Sequence, residues 1–567
     1  MVRSCLLALG LAMALSCKSS GPHGTPVPAA ADVLFVNARF LTLDLARPVV
    51  AAVAVRGERI VGLGDRASLE PLVGPGTRTI DLGGGVAVPG LVDTHGHMLG
   101  LGLGLVRLDL VGTATLAEAL ERVRAASDRL GPGEWLLGRG WDQNDWPEKA
   151  FPTRLGLDRV CPDRPVFLTR VDGHAAWVNS PALAAAGVGA ETADPPGGRL
   201  LREADGAPGG ILVDTAMGLV SRQIPAPSRE AKKEALKRAA AEAVRFGLTG
   251  VHDAGVDGDV LDLYRELADD GALPLRIYAM ISGTAPALDD WLKRGPLIDP
   301  DGLLTVRAIK LVADGALGSR GAALLEPYAD DPSDTGLSIL SASAIRSVAE
   351  RALTAGFQVC THAIGDRANR ETLDAYEEAL KPRPSVDHRF RIEHAQVLAP
   401  ADVPRFAKLG VIASMQATHC TSDMPWAPAR LGPERVRGAY AWRSLLRSGA
   451  RLSGGSDFPV ERVNPLLGLH ASVTRQDAEG RPEGGFHPEE RMTRLEALQS
   501  YTTWAAYAGF EEKHGGRLEI GLRADLTVLP LDPLACAPAE LLRAETLFTI
   551  VGGRIVHRKG AGGPPPR

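Results

Sequence analysis

The sequence predicts an α/β chain built around a parallel (β/α)8 TIM barrel, with an α/β subdomain inserted after the first barrel strand and a small β-sandwich drawn from both termini. Three observations predict it. Short β-branched runs alternate with helical stretches, residues able to bind metal stand at the ends of those runs, and the two ends of the chain share one alternating apolar and polar pattern.

The first strand is the apolar run of PGLVDTHGHM (89–98), closed by His95 and His97 at i and i+2. Strand alternation points both imidazoles to one side, and Pro89, Gly90 and Asp93 frame them at a strand end. Seven further runs complete eight: 248–255, 273–281, 306–315, 357–366, 389–397, 410–419 and 451–460. Between them lie stretches such as 229–246 and 343–355, whose apolar residues recur at three and four. Catalytic groups of such a barrel gather at the C-terminal rim, where His95, His97, His362, His394 and Asp457 all stand.

Lys310 lies inside a strand, between Ile309 and Leu311, where both faces are buried. An unpaired ammonium there is costly, so the group should lose its proton, pair with a carboxylate or be chemically changed. A neutral amine can take up carbon dioxide as a carbamate able to bridge two metal ions; the alternative is a salt bridge to Asp314, two pleats along. Imidazole and carboxylate ligands imply one or two divalent ions, with zinc the default. Such an ion lowers the pKa of a bound water to about 7 and polarises a carbonyl. Asp457, on the last strand after Gly454 and Gly455, is the candidate general base and acid.

PGLVDTHGH, AIKLVADGALGSRGA, THAIGDRA, RIEHAQ, SMQATH and GGSDFPV together resemble the amidohydrolase superfamily, in the branch of N-substituted formamide deformylase-like metal-dependent hydrolases (amidohydrolase family 3). The resemblance runs from about residue 32 to about 557 and takes in GRGWDQNDW, DGHAAWVNSPAL and GRLEIGLRADLTVL. It implies that His95, His97 and Asp457 hold the deeper metal, His362 and His394 the outer one, and carboxylated Lys310 bridges; single-metal members leave the nuclearity open. Ring-deaminating relatives tend to carry His-x-x-Glu on the fifth strand. Here His362 is followed by Ala363, Ile364, Gly365 and Asp366, which disfavours deamination.

Substrate contacts are sought in the long stretch after the first strand, at Trp141, Asp142, Gln143, His174, Trp177 and Asn179, although its tryptophans could equally form a core. His174 in its Asp-Gly-His turn and His419 at the end of SMQATH are pocket candidates, with His252 more weakly placed. Arg320 could meet a negative substrate group or neutralise Asp314, and Cys420 at the rim could meet thiol reagents.

Domain boundaries follow: 1–17 a signal peptide ending at a lipobox Cys17, 18–31 a flexible tether, 32–88 with 510–560 the β-sandwich, 89–509 the barrel with its insertion at about 113–215, and 561–567 a disordered tail. Leu6 to Leu15 is too short to span a bilayer, so the membrane is met only through a lipid on Cys17, in an exported protein of a bacterial envelope; the alternative is a periplasmic or secreted protein cleaved nearby. At 567 residues, with 45% hydrophobic residues and a formal charge of −5, the chain can bury a large core. Its Lys and Arg are scattered, which excludes nucleic acid as the expected partner and leaves a small-molecule amide, with oligomerisation open. The expected activity is hydrolysis of a non-peptide C–N bond in an N-acyl or N-formyl compound. Rival readings are a cyclic-amide or ester hydrolase of the same superfamily, or a lipoprotein that binds ligand or metal without turnover.

Overall fold

The computed structural model describes residues 29–131 and 133–560; the expected signal peptide with Cys17, most of the expected tether and the expected disordered tail lie outside the described residues. Eight strands run parallel in chain order: β1 (Leu91–Gly96), β2 (Leu248–Val256), β3 (Arg276–Ser282), β4 (Leu304–Val312), β5 (Gln358–Ala363), β6 (Arg391–His394), β7 (Ile412–Gln416) and β8 (Arg451–Gly455). A parallel bridge between Gly96 and Phe458 joins the last strand's exit to the first. There the Asp457 N–H donates to His95 O and the His97 N–H to Phe458 O, both at 2.7 Å. The two strands come so close that a Cβ on Gly455 would stand 2.7 Å from the His95 nitrogen.

The barrel helices are α1 (Arg229–Arg245), α2 (Gly258–Asp269), α3 (Leu288–Arg294), α4 (Ala342–Ala355), α5 (Asp366–Leu380), α6 (Val403–Leu409), α7 (Trp442–Arg447) and α8 (Pro465–Thr474). In α1 the Ser228 hydroxyl caps the first turn by accepting from the Ala231 N–H. Its buried residues, Ala235, Leu236, Ala239, Ala240, Ala243 and Val244, fall on one stripe at helical spacing. Ser341 caps α4 in the same way, and Gly356 ends it with a φ of +82°.

Strands β4 to β8 stop short of the C-terminal ends that the sequence pattern suggests: the run expected over 389–397 pairs only as Arg391–His394. The reason is local. His394 and Ala395 have φ of +73° and +42°, and Asp457 just beyond β8 has +60°. Non-glycine residues in the left-handed region leave the ladder and cost about 1–3 kcal/mol each.

Strands from both termini form one sheet of eight, in the order Arg554–Arg558, Phe548–Val551, Leu526–Leu529, Arg78–Pro89, Val33–Leu41, Ala52–Arg56, Arg59–Gly64, with Val49–Val50 beside Val33–Leu41. The expected sandwich is thus one continuous hydrogen-bonded sheet folded around its own core. Phe35, Val53 and Leu526 fill that core, each worth about 1.5–3 kcal/mol on burial, while Val86, Val88 and Leu529 pack into the barrel's.

The insertion begins at Leu108 rather than near 113 and has its own mixed sheet of six strands, Leu108–Asp109, Leu136–Trp141, Val166–Arg170, Ala175–Val178, Gly198–Arg202 and Pro208–Asp214. Trp141, Trp146 and Trp177 pack with ring centroids 6.1–6.2 Å apart inside it.

Arg276 of β3 ties the barrel to the terminal sheet. Its guanidinium donates to both carboxylate oxygens of Asp525, at 2.8 and 3.0 Å, and reaches Glu58 at 3.2 Å. Burial alone would raise the Asp525 carboxyl, but Arg276 outweighs it and the pKa is lowered. A depressed carboxyl contributes stability above its unfolded value, lost as the pH falls through the folded one. Asp525→Ala should therefore lower unfolding stability by about 3 kcal/mol at neutral pH. Urea melts should show the difference between the two proteins shrinking only below the ordinary aspartate value of 3.8.

Candidate metal centre

The mouth of the barrel gathers a cluster of nitrogen and oxygen donors. His95, His394 and Asp457 are buried and present ligand atoms all within 4.8 Å of one another. Asp457 Oδ1 lies 3.5 Å from His95 Nε2 and 3.0 Å from His97 Nε2, and Oδ2 lies 3.7 Å from His419 Nε2. The His362 ring stands 4.6 Å from that of His394, centroid to centroid, and Lys310 Nζ is 3.0 Å from His95 Nε2. All six expected ligands therefore meet at one place.

Three of the imidazoles are oriented through Nδ1. His95 meets Glu393 Oε2 at 2.5 Å, His97 meets Ala254 O at 2.9 Å, and His394 meets Gln416 Oε1 at 2.7 Å. With an oxygen acceptor at Nδ1, each ring carries its proton there and turns the Nε2 lone pair inward. Burial, then the Lys310 charge, pushes His95 down to about 4; burial also lowers His362 and His394. The rings of His95, His362 and His394 are thus neutral at pH 7, as ligands must be. Burial alone would raise the Asp457 carboxyl, but a proton on a neighbouring imidazole more than offsets this and lowers it.

Among the described residues, His362 Nε2, His419 Nε2 and Asp457 Oδ1 are buried without a hydrogen-bond partner. Orphaned acceptors of this kind are costly unless something positive sits between them. The donor set fits a divalent cation.

Lys310 is buried, and burial lowers its pKa. The alternative salt bridge to Asp314 is not formed. β4 ends at Val312, so strand alternation does not carry to Asp314, whose carboxylate instead accepts from the N–H groups of Ala323, Ile364 and Gly365.

Beneath the cluster lies a fully buried charge network that the motifs did not disclose. Arg391 pairs with Glu393 at 2.7 Å and donates to Thr94 O, Ser414 Oγ and His252 Nδ1. Arg391 and Glu393 are 0% exposed, which places His252 below the cluster, out of a substrate's reach. Two charges at i and i+2 in a strand buried on both faces was the available signal. Asp93 does more than frame the strand end: it accepts from Ser456 Oγ at 2.6 Å and from the N–H groups of Ser456 and His95.

The substrate candidates divide. His174 reaches the mouth from the insertion, its ring 5.1 Å from that of His362 and its Nδ1 2.6 Å from Asp214 Oδ1. Burial opposes its charge, but the Asp214 carboxylate more than reverses this and raises the pKa to about 9. His419 faces Asp457 from the seventh-strand side, stacked 5.7 Å from His394. Trp141 and Trp177 do not reach the mouth: they are the insertion's core, their indole N–H groups spent on the carbonyls of Leu168 and Thr153. Arg320 pairs with Asp330, not with Asp314 or the cavity. Asn179 caps the helix Ser180–Ala185, and Gln143 and Asp142 hold Arg170. Cys420 is buried, and burial pushes its thiol up to about 12, so it is not a reactive rim thiol. An arginine that does line the mouth is Arg139, of the insertion strand Leu136–Trp141.

A parallel eight-stranded barrel with neutral imidazoles, a lysine and an aspartate at its C-terminal mouth defines a metal-dependent hydrolase. The chain belongs to the Amidohydrolase family, whose profile matches residues 78–557, and is a hydrolase of carbon–nitrogen bonds. It is 36% identical over 514 residues to YtcJ of Bacillus subtilis (strain 168), covering 90% of this chain and 96% of that protein. It is 30% identical over 541 residues to the N-substituted formamide deformylase of Arthrobacter pascens, covering 93% and 98%. The crystal structure of an uncharacterized metal-dependent hydrolase from Pyrococcus furiosus matches with a TM-score of 0.69 at 30% identity, over 89% of this chain and 100% of that one.

If Glu393 fixes the His95 ring, Glu393→Gln should weaken metal binding by about 10–100-fold. Chelator competition followed by metal analysis of the protein would read this directly. Unchanged affinity would mean that His95 needs no such support.

Proposed function

We propose that this enzyme hydrolyses a non-peptide amide, of the N-acyl or N-formyl class, with Asp457 moving the proton. The observation that carries the reading is the buried Asp457 carboxylate set 3.0–3.5 Å from the Nε2 atoms of His97 and His95 at the barrel mouth. His95, His97, His362, His394 and Asp457 would hold one or two divalent ions, with zinc the first candidate for such ligands. Bound there, an ion supplies a water of lowered pKa and a polarised substrate carbonyl.

The chain's own groups do the rest. Asp457 takes the proton of the attacking water at its free carboxylate oxygen and delivers it to the departing nitrogen, so the amine leaves neutral. His174, held by Asp214, offers a donor to the substrate oxygen from the insertion side. Lys310, buried with its ammonium form disfavoured, suits a carbamate that would bridge two ions. The 30% identity to a protein named N-substituted formamide deformylase supports an amide over an ester. The N-terminal pattern ending at Cys17 supports export with a lipid anchor, and the scattered basic residues support a small-molecule partner.

Asp457→Asn should keep much of the metal and lose hydrolysis by at least about 10²-fold, the scale of a general acid and base. Metal analysis and single-turnover rates on metal-reconstituted protein check both halves. A screen over formamides, N-acyl amines, hydantoins and aryl esters tests the substrate class: cleavage of esters alone would overturn the amide reading.

A further inference from the structure

Two cavities open onto the cluster, one of about 890 Å³ and one of about 540 Å³. Both are lined by His362, His394 and Asp457, and both by Arg139 and His174 of the insertion, so they adjoin above the same donors. Beyond those shared residues their walls differ. The smaller is walled by Leu311 and Val312 of β4, Ile339, Leu340, and Ala344 and Val348 of α4. The larger runs under His419 and Thr421 toward Leu467 of α8 and Glu461.

Each is of the size that holds a small organic ligand. Ions and their waters do not fill the smaller one, since a water takes only about 30 Å³. An amide has two substituents, one on the carbonyl carbon and one on the nitrogen. In a formamide the carbonyl side carries only hydrogen, and one cavity would stand without an occupant.

We propose that the substrate straddles the centre, with a sizeable group on each side of the scissile C–N bond and an apolar one, alkyl or aryl, in the cavity walled by Leu311, Ile339 and Ala344. This rests on the amide reading above and narrows it from N-formyl to N-acyl compounds. A methylene buried in an apolar pocket changes selectivity by about tenfold or more, so the preference is large enough to measure.

The test uses the metal-loaded enzyme and two sets of amides. One set keeps 2-phenylethylamine and varies the acyl group through formyl, acetyl, pentanoyl and phenylacetyl; the other keeps the best acyl group and varies the amine from ammonia through methylamine to 2-phenylethylamine. kcat/KM is expected to climb at least tenfold along both sets. Ala344→Trp, which fills the smaller cavity, should flatten the climb in one set, and Leu467→Trp, which fills the larger, should flatten it in the other. Metal content and melting temperature identify a misfolded variant, in which case Ala344→Phe and Leu467→Phe replace the tryptophans.

A formamide cleaved as well as its acyl counterparts, a climb in only one set, or both substitutions flattening the same set would overturn the two-cavity proposal while leaving the amidase reading intact. No cleavage of any amide by fully metallated protein would take down the amidase reading and this inference with it.

Discussion

The seam between β1 and β8 is the constraint on which the site depends. Asp93 and Ser456 are 363 residues apart in the chain, yet the carboxylate of one accepts from the hydroxyl and the N–H of the other. The same seam carries the backbone bond from the Asp457 N–H to His95 O. Without it the first and last ligands would sit on the open edges of a curled sheet, free to splay. With it, His95, His97 and Asp457 are held at one parallel bridge by two backbone hydrogen bonds, and the other donors need only reach inward from strands already fixed in order. Asp93 is buried, and burial pushes its carboxyl up to about 7, so its four accepted hydrogen bonds are what keep it serviceable as a clamp.

A second level of organisation is electrostatic. Burying the imidazoles of His95, His362 and His394, a lysine and an aspartate together would be ruinous if all were charged. The structure avoids this by assigning charge to few groups. Burial disfavours the charged form of those three rings, and the opposing pair Arg391 and Glu393 is placed one layer below, each beside the other's charge. That pair also sets the tautomer of His95. The left-handed backbone at His394 and Asp457 adds strain at the same spot, held by the surrounding strands.

Much of the barrel was legible because parallel strands buried on both faces must be apolar throughout, so any polar residue inside one stands out. That is why His95, Lys310, His362, His394 and Asp457 could be placed at the mouth from their strands alone. The same logic applied to Arg391 and Glu393, but their charges cancel across one residue and pointed to no motif. Trp141, Trp177 and Arg320 went the other way: their chemistry suits a pocket, and only the three-dimensional packing shows the indoles spent on their own subdomain and the guanidinium on Asp330. Periodicity could also announce the terminal strands, yet not that Arg78–Pro89 would run on to link both termini in one sheet rather than two.

The roof over the mouth has a hydrogen-bonded sheet and apolar interiors of its own, apart from those of the barrel. Arg139 and His174 descend from it, whereas the six donors rise from the floor. Inheritance can therefore act on the two storeys at different speeds. Changes overhead would retune which molecules are admitted while the chemistry below is left untouched, so lineages sharing this floor can diverge in diet long before they diverge in reaction.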